Sequence, residues 1–272
     1  MFNIKTLLLI SSILIITACN NTGTNKTPAT DTTAQNPVTV LEQQIEKDSA
    51  SADSLRPQLV EKLVEAGQYK KALLHINKLL AKDTANPGFL YMKADALERL
   101  GDTVAAIAHY EKALHEAGIF TDAQFRTANL YAETGNPKTI AVCDDLLQQP
   151  GGIRMRSDIL MIKGIYYSNK HQYQQAIAIY DQIIKEDYSY LNAYIEKGLA
   201  YYDQKKFKEA LEIFRMSTTI KNSFADGYYW MAKTEEQLNR TEDATNNYKR
   251  ALALDQSLEE ARTALKRLGA IN

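Results

Sequence analysis

The chain has 272 residues, 45% of them apolar and 24% charged, which is an ordinary globular balance. Twelve glycines and six prolines are too few for a collagen-like or broadly disordered chain. Lys and Arg number 32 against 33 acidic residues, a formal charge of −1 without the basic surplus of a nucleic-acid binder, so no nucleic-acid partner is expected.

The first 18 residues, MFNIKTLLLISSILIITA, place Lys5 ahead of an apolar run from Leu7 to Ile16 and end on the small residue Ala18. That run is shorter than a membrane-spanning helix needs and predicts a cleaved signal peptide. Ile16-Thr17-Ala18-Cys19 resembles the lipobox of bacterial lipoproteins, whose cysteine is lipidated and becomes the mature N-terminus. The resemblance implies that Cys19 carries several acyl chains, which anchor stably where a single chain binds only marginally. By the sorting pattern of that family, Asn20 after the cysteine implies the outer membrane, and the lack of a following acidic run implies its periplasmic face. An ordinary signal peptide with an incidental cysteine, or an uncleaved anchor, are the alternative readings.

Residues 19–40 continue as a Thr-rich stretch with almost no large apolar side chains, a flexible linker that cannot bury enough surface to order itself. Residues 20–40 would reach about 25 Å as a random coil. Asp31-Thr32-Thr33, Asp48-Ser49-Ala50, Asp53-Ser54-Leu55, Asp83-Thr84-Ala85 and Asp102-Thr103-Val104 resemble the acceptor triplet of a bacterial periplasmic O-glycosylation system. The same dipeptides are also good helix-start and turn chemistry, which accounts for Asp83 and Asp102 without any glycan. A short N-terminal segment, 41–52, follows, with Leu41 and Ile45 as candidate helix positions.

From residue 53 to 258 one unit recurs. Ala72, Ala106, Ile140, Ala176, Ala210 and Ala244 are spaced 34, 34, 36, 34 and 34 residues apart, and four residues after each come Ile76, Tyr110, Asp144, Tyr180, Phe214 and Tyr248. Lys163-Gly164-x-x-Tyr167 and Lys197-Gly198-x-x-Tyr201 precede the fourth and fifth of these, and Gly67, Gly101 and Gly135 fall between the paired helices of the first three. A two-helix unit of this length and small-then-aromatic pattern resembles the tetratricopeptide repeat (TPR), with Lys163 and Lys197 standing where the family has Leu. The resemblance implies an all-α right-handed solenoid of about six helix-turn-helix repeats in which neighbours stack into one continuous core. The third unit departs furthest, with Ile140, Asp144 and Pro137 at signature positions and two extra residues near Gln149-Pro150-Gly151-Gly152. Residues 259–272 are expected to carry a C-terminal capping helix over 259–268, with Ala261, Ala264, Leu265 and Leu268 as its apolar stripe.

In such a stack the first helix of each pair lines the concave side, and i, i+4 spacing selects its inward residues. These are Tyr91 and Asp95, Phe125 and Asn129, Met161 and Ile165, Ile195 and Leu199, Tyr229 and Lys233, followed one turn on by Glu98, Ala132, Ser168, Tyr202 and Glu236. The middle of this strip is apolar, the pattern of a groove that takes an apolar peptide or helix through Met161, Ile165, Ile195, Leu199 and Tyr202. Burial of the strip against neighbouring helices, or occupation of the groove by the N-terminal segment, are the competing readings. The carboxylate clamp of chaperone-binding TPR domains is not matched, since Asn129 alone fits and Phe125 stands where a clamp wants Lys.

No phosphate loop, nucleophile elbow or His-Glu-x-x-His is present, so neither catalysis nor a cofactor is expected. His75, His109 and Cys143 share a position in three successive units, but helices packed 8–10 Å apart would hold them too far from one another for a metal ion. Cys143 is expected to be a buried small residue without a disulfide partner. Tyrosine pairs at 166–167, 201–202 and 228–229 are expected to divide between helix packing and the groove or rim. Together these readings describe a non-catalytic adaptor, tethered in the envelope, that binds a protein or peptide partner. Sugar stacking on Tyr202 and Tyr229 gives the alternative of a glycan or peptidoglycan binder.

Overall fold

A computed structural model describes residues 36–48 and 52–271 of the chain. The expected signal peptide over 1–18, Cys19, the expected linker as far as residue 35, residues 49–51 and residue 272 lie outside the described residues. A lone helix α1 (Pro37–Lys47) precedes six antiparallel pairs. They are α2 (Ala52–Glu65) with α3 (Tyr69–Leu80), α4 (Pro87–Arg99) with α5 (Thr103–Ala117), and α6 (Thr121–Glu133) with α7 (Lys138–Gln148). The last three are α8 (Arg156–Asn169) with α9 (Tyr173–Glu186), α10 (Leu191–Asp203) with α11 (Phe207–Ile220), and α12 (Ala225–Gln237) with α13 (Thr241–Leu254). The capping helix α14 (Glu259–Arg267) closes the stack, and no strand occurs among the described residues. None of the described helices is long and apolar enough to cross a membrane. The expected linker boundary at residue 40 moves back, because α1 already begins at Pro37 and buries Val38.

One turn serves all six pairs. Gly67, Gly101, Gly135, His171, Lys205 and Asn239 take positive φ between 58° and 81°, at spacings of 34, 34, 36, 34 and 34. In each case the next residue donates its N–H to a carbonyl five residues back, as Gln68 does to Leu63 at 2.8 Å and Lys206 to Tyr201 at 3.0 Å. This left-handed C-cap satisfies carbonyls that the helix end would leave bare. The next helices start on local chemistry: Asp102 accepts from the Ala105 N–H at 3.1 Å, and Asn86 from that of Phe89 at 3.2 Å. Asp102 therefore serves as helix-start chemistry, one of the two readings of its triplet.

Every pair but the third is locked by a small residue on its second helix and a large one a turn later. Ala72, Ala106, Ala176, Ala210 and Ala244 are fully buried, as are Ile76, Tyr110, Tyr180 and Phe214, with Tyr248 almost so. On the first helices of the same pairs, Ala94, Gly164, Gly198 and Ala232 hold the place opposite Ala106, Ala176, Ala210 and Ala244, and Val60 that opposite Ala72. A Cβ on Gly164 would come within 2.3 Å of Tyr180 Cε1, and one on Gly198 within 2.3 Å of Phe214 Cε1. Twelve residues before the large side chain sits a partner for its tip: Tyr110 donates to Glu98 at 2.8 Å, Tyr248 to Glu236 at 2.5 Å, and Tyr180 pairs with Ser168 at 3.2 Å. Where the large residue is Ile76 or Phe214, with no hydroxyl, that position holds Val64 or Tyr202.

The third pair packs differently. Its Ile140 is only half-buried, and Asp144 stays exposed and receives Lys163 at 2.7 Å. Lys197, the other lysine at a family Leu position, likewise reaches Asp181 at 2.5 Å. The loop after the short α7 turns on Gly152, where a Cβ would meet the Leu146 carbonyl at 2.4 Å. That turn lets α6 pack directly on α8 as well as on α7, and Asn169 donates to the Ala132 carbonyl at 3.0 Å across the gap. The core runs as a chain of local clusters, each contributed by consecutive helices, as expected of a quasi-one-dimensional stack. Cys143 is fully buried in one of them. At the C-terminal end α14 buries Ala261, Ala264 and Leu265 and half-buries Leu268.

Candidate interaction surface

The first helices of the pairs present the expected inward residues, but they do not form the apolar groove predicted from spacing. Met161 is 5% exposed and packs with Leu160, Tyr180 and Ala193. Ile195 and Leu199, at 2% and 6%, belong to the cluster of Phe214, Tyr228 and Ala232. All three are core, because α10 touches α8 and α12 directly and the first helices close over the middle of the strip. Of the remaining predicted residues, Tyr229 is also buried, while Tyr91, Phe125, Asn129, Ile165, Tyr202 and Lys233 are half-buried.

At the N-terminal end the inner face is an ion-pair network. Arg126 on α6 reaches Glu98 at 3.1 Å and Asp95 at 3.6 Å on α4, and Asp95 also holds Arg99 at 2.9 Å. Tyr91 lies beside this network with its ring 5.4 Å from Tyr110 and 5.1 Å from Phe120. Burial, reinforced by Glu98, raises the Glu133 carboxyl above the usual carboxylate range, and Asn129 offsets part of this by donating to it at 3.2 Å. Asn129 is thereby engaged within its own helix. The charges of this end are largely met by one another.

The C-terminal end differs. Lys233 on α12 extends over two rings, its Nζ 4.9 Å from the Trp230 centroid and 5.6 Å from that of Tyr229. Tyr202 on α10 stands edge-on to Trp230 at 6.2 Å, and Trp230 stacks on Phe214 at 6.0 Å. Among the described residues no carboxylate forms an ion pair with Lys233; the nearby Glu236 is held instead by Arg267 and Tyr248. Burial lowers the Lys233 ammonium pKa, and the fields of Glu236 and Glu260 only partly restore it. A half-buried cation over aromatic faces, with donors free, is suited to receive a carboxylate or a backbone carbonyl.

Trp230 and Arg126 were not among the predicted site residues. Trp230 could have been found from its i, i+3 relation to Lys233, and Arg126 from its adjacency to Phe125. Of the tyrosine pairs, both Tyr228 and Tyr229 are buried, whereas neither member of 166–167 or 201–202 is, so the expected division within each pair does not hold. His75 lies 3.3 Å from Arg56, and burial lowers the pKa of both His75 and His109 and pushes the Cys143 thiol up to about 12.

Comparison with known proteins places this geometry. A family model described as tetratricopeptide repeat matches residues 58–120, and one described as anaphase-promoting complex, cyclosome, subunit 3 matches residues 169–251. Among solved structures, a tetratricopeptide repeat protein from Parabacteroides merdae aligns with a TM-score of 0.71 at 19% identity, over 85% of this chain and 91% of that one. PilW, described as a widely conserved type IV pilus biogenesis factor, aligns with a TM-score of 0.62 at 18% identity, over 79% of this chain and 98% of its own. The C-terminal part of a TPR repeat-containing protein from Cytophaga hutchinsonii aligns with a TM-score of 0.55 at 18% identity, over 78% and 84%. The search of curated proteins returned no match.

Proposed function

The chain is a tetratricopeptide-repeat protein, built on a fold of protein-interaction scaffolds, and from that premise we propose that it is a non-catalytic adaptor that binds a protein or peptide partner on its inner face. In this reading it is lipidated at Cys19 and hung from the outer membrane, facing the periplasm. The observation that carries the binding role is Lys233, kept half-buried over Trp230 and Tyr229 with no ion-pair partner among the described residues. Holding an ammonium there costs stability through desolvation, and a partner carboxylate or carbonyl would offset that cost.

The test is capture from gently solubilised envelope by wild type beside Lys233→Met, with helix content followed by circular dichroism. Methionine keeps the length of the stem and removes the charge, so the variant should fold fully and lose the partner. If the folded variant retains the same proteins as wild type, the inner face around Lys233 is not the binding surface. Capture of soluble saccharide, lost in Tyr202→Ala, would favour the glycan reading instead. Metabolic labelling with a fatty acid tests the anchor, and a Cys19→Ala chain should lose the label.

A further inference from the structure

We propose that the turn edge of the last three repeats is the face on which this chain rests against an anionic lipid surface. In a stack of antiparallel pairs every within-pair turn lies along one edge and every between-pair loop along the other. In the first three repeats the turn tips read Ala66-Gly67-Gln68, Leu100-Gly101-Asp102 and Thr134-Gly135-Asn136, without a cation. In the last three they read Lys170-His171-Gln172, Gln204-Lys205-Lys206 and Leu238-Asn239-Arg240, with four formal cations and no carboxylate. Lys208 adds a fifth on the same edge; the first and third repeats carry Lys70 and Lys138 at its offset, Lys138 being paired with Glu111. All five are exposed, and none forms an ion pair among the described residues. Asp203 and Glu209 flank the second of these turns, and Glu242 and Asp243 follow the third, so the cationic centre lies on the fourth and fifth repeats.

Backbone conformation points the same way. His171 and Lys205 sit at φ 58° and 60°, where the first three repeats use glycine and where an L side chain is disfavoured. These turns therefore keep long polar side chains at a position where the backbone favours none. The His171 ring meets the Tyr173 hydroxyl at 2.8 Å, which accounts for that residue locally; a contact made by Lys205 would explain the choice at the second turn.

The chain also enters from this edge. Only four residues separate Lys47 from Ala52, so α1 ends near the start of α2 and begins at the opposite, turn edge. Glu42 of α1 accordingly lies 3.9 Å from Lys71 in the first turn of α3. The inference rests on the anchored reading of Cys19, which makes a lipid surface the polyanion always within reach. Each cation close to such a surface contributes about fivefold to partitioning, so the group acts together where one would not.

The experiment is amine footprinting of the full chain attached to vesicles of phosphatidylcholine alone or mixed with phosphatidylglycerol. Acetylation of Lys170, Lys205 and Lys208 should slow by about threefold or more on the anionic vesicles and recover at high salt. Lys185 and Lys221, exposed on the loop edge, should react equally on both. Equal slowing at both edges, slowing confined to Lys185 and Lys221, or none at either, overturns the proposal. A Lys205→Gly chain, which removes one charge and relaxes the turn, should fold and show weaker protection of Lys170 and Lys208; undiminished protection there also overturns it. The mass of the Cys19 peptide in the same sample reports acylation separately. Where Cys19 carries no acyl chain, the footprint is repeated on a chain that retains residues 1–18, whose apolar run attaches it, so the edge is read in either case.

Discussion

The first three repeats and the last three build the same helix pair from different residues. The first half makes its turns with glycine and sets Ala94 and Ala128 against the second helices; the last half turns on His171, Lys205 and Asn239 and puts Gly164 and Gly198 at two of its crossings. The inner faces diverge as well. Arg126 in the first half is tied to Asp95 and Glu98, whereas Lys233 in the second half has aromatic rings beneath it and no ion partner among the described residues. A repeat fixes the backbone and the places where small and large side chains must meet. It leaves open which residue meets each need, and there one half can carry chemistry that the other lacks.

The largest effect that would sharpen this comparison comes from the large side chains. Tyr180 is fully buried and its hydroxyl pairs with Ser168, so Tyr180→Ala should cost about 3–5 kcal/mol. Asp144 holds the equivalent place in the third repeat but is exposed beside Lys163, so Asp144→Ala should cost at most about 1 kcal/mol. Urea denaturation of both variants checks the pair. Similar losses would mean that the third repeat is locked as tightly as its neighbours.

Next come the helix crossings. A Cβ on Gly164 or Gly198 would overlap the buried ring opposite, and Ala at either position should destabilise by about 1–3 kcal/mol. Ala94→Gly, the reverse exchange in the first half, should also destabilise, by about 1 kcal/mol, because there the helix loses a favourable residue. The same two residue types thus exchange badly in both directions if the halves have settled into different spacings. A neutral Gly198→Ala would break that view.

The turns give a smaller effect of the opposite sign. Lys205→Gly and His171→Gly should each stabilise by about 1 kcal/mol or less, since glycine relieves the left-handed conformation while adding unfolded-state freedom. Gly101→Ala should destabilise by a similar amount. Thermal unfolding of the three variants should therefore show melting points moving in opposite directions in the two halves.

Much of this architecture was legible in the sequence. The 34-residue spacing of Ala72, Ala106 and their successors phased every pair, Asp144 and Ile140 marked the irregular third repeat, and Ala261, Ala264 and Leu265 marked the cap. The same spacing carries Gly135 onto His171, Lys205 and Asn239, but without a glycine the left-handed turn gave no local signal. The inner face was less legible. Spacing of i, i+4 shows which way Met161, Ile195 and Leu199 face, yet says nothing of how near the next first helix lies, and that distance made them core. Ion pairing was hidden for a similar reason. Arg126 meets Glu98 only because α6 lies beside α4, and among the described residues Lys233 forms no ion pair while Arg267 reaches Glu236 from α14.

The smallest effects separate the two inner faces by pH. Glu133, in the first half, is held above the usual carboxylate range by burial and by Glu98. Its folded state therefore binds the proton more tightly than its unfolded state, and stability is lost as pH rises through that range. Lys233, in the second half, has its ammonium pKa lowered by burial, so its cost is complete at neutral pH and fades as pH rises toward the ordinary lysine range. Glu133→Gln keeps the hydrogen bond from Asn129 and should raise the melting point at pH 7, with the gain vanishing in acid. Lys233→Met should raise it at pH 7 as well, with the gain shrinking toward alkaline pH instead. Melting curves across pH for the two variants should diverge in these opposite senses. If the Lys233→Met gain is absent at neutral pH, the ammonium is not destabilising, and the physical reason for a partner to seek it is gone.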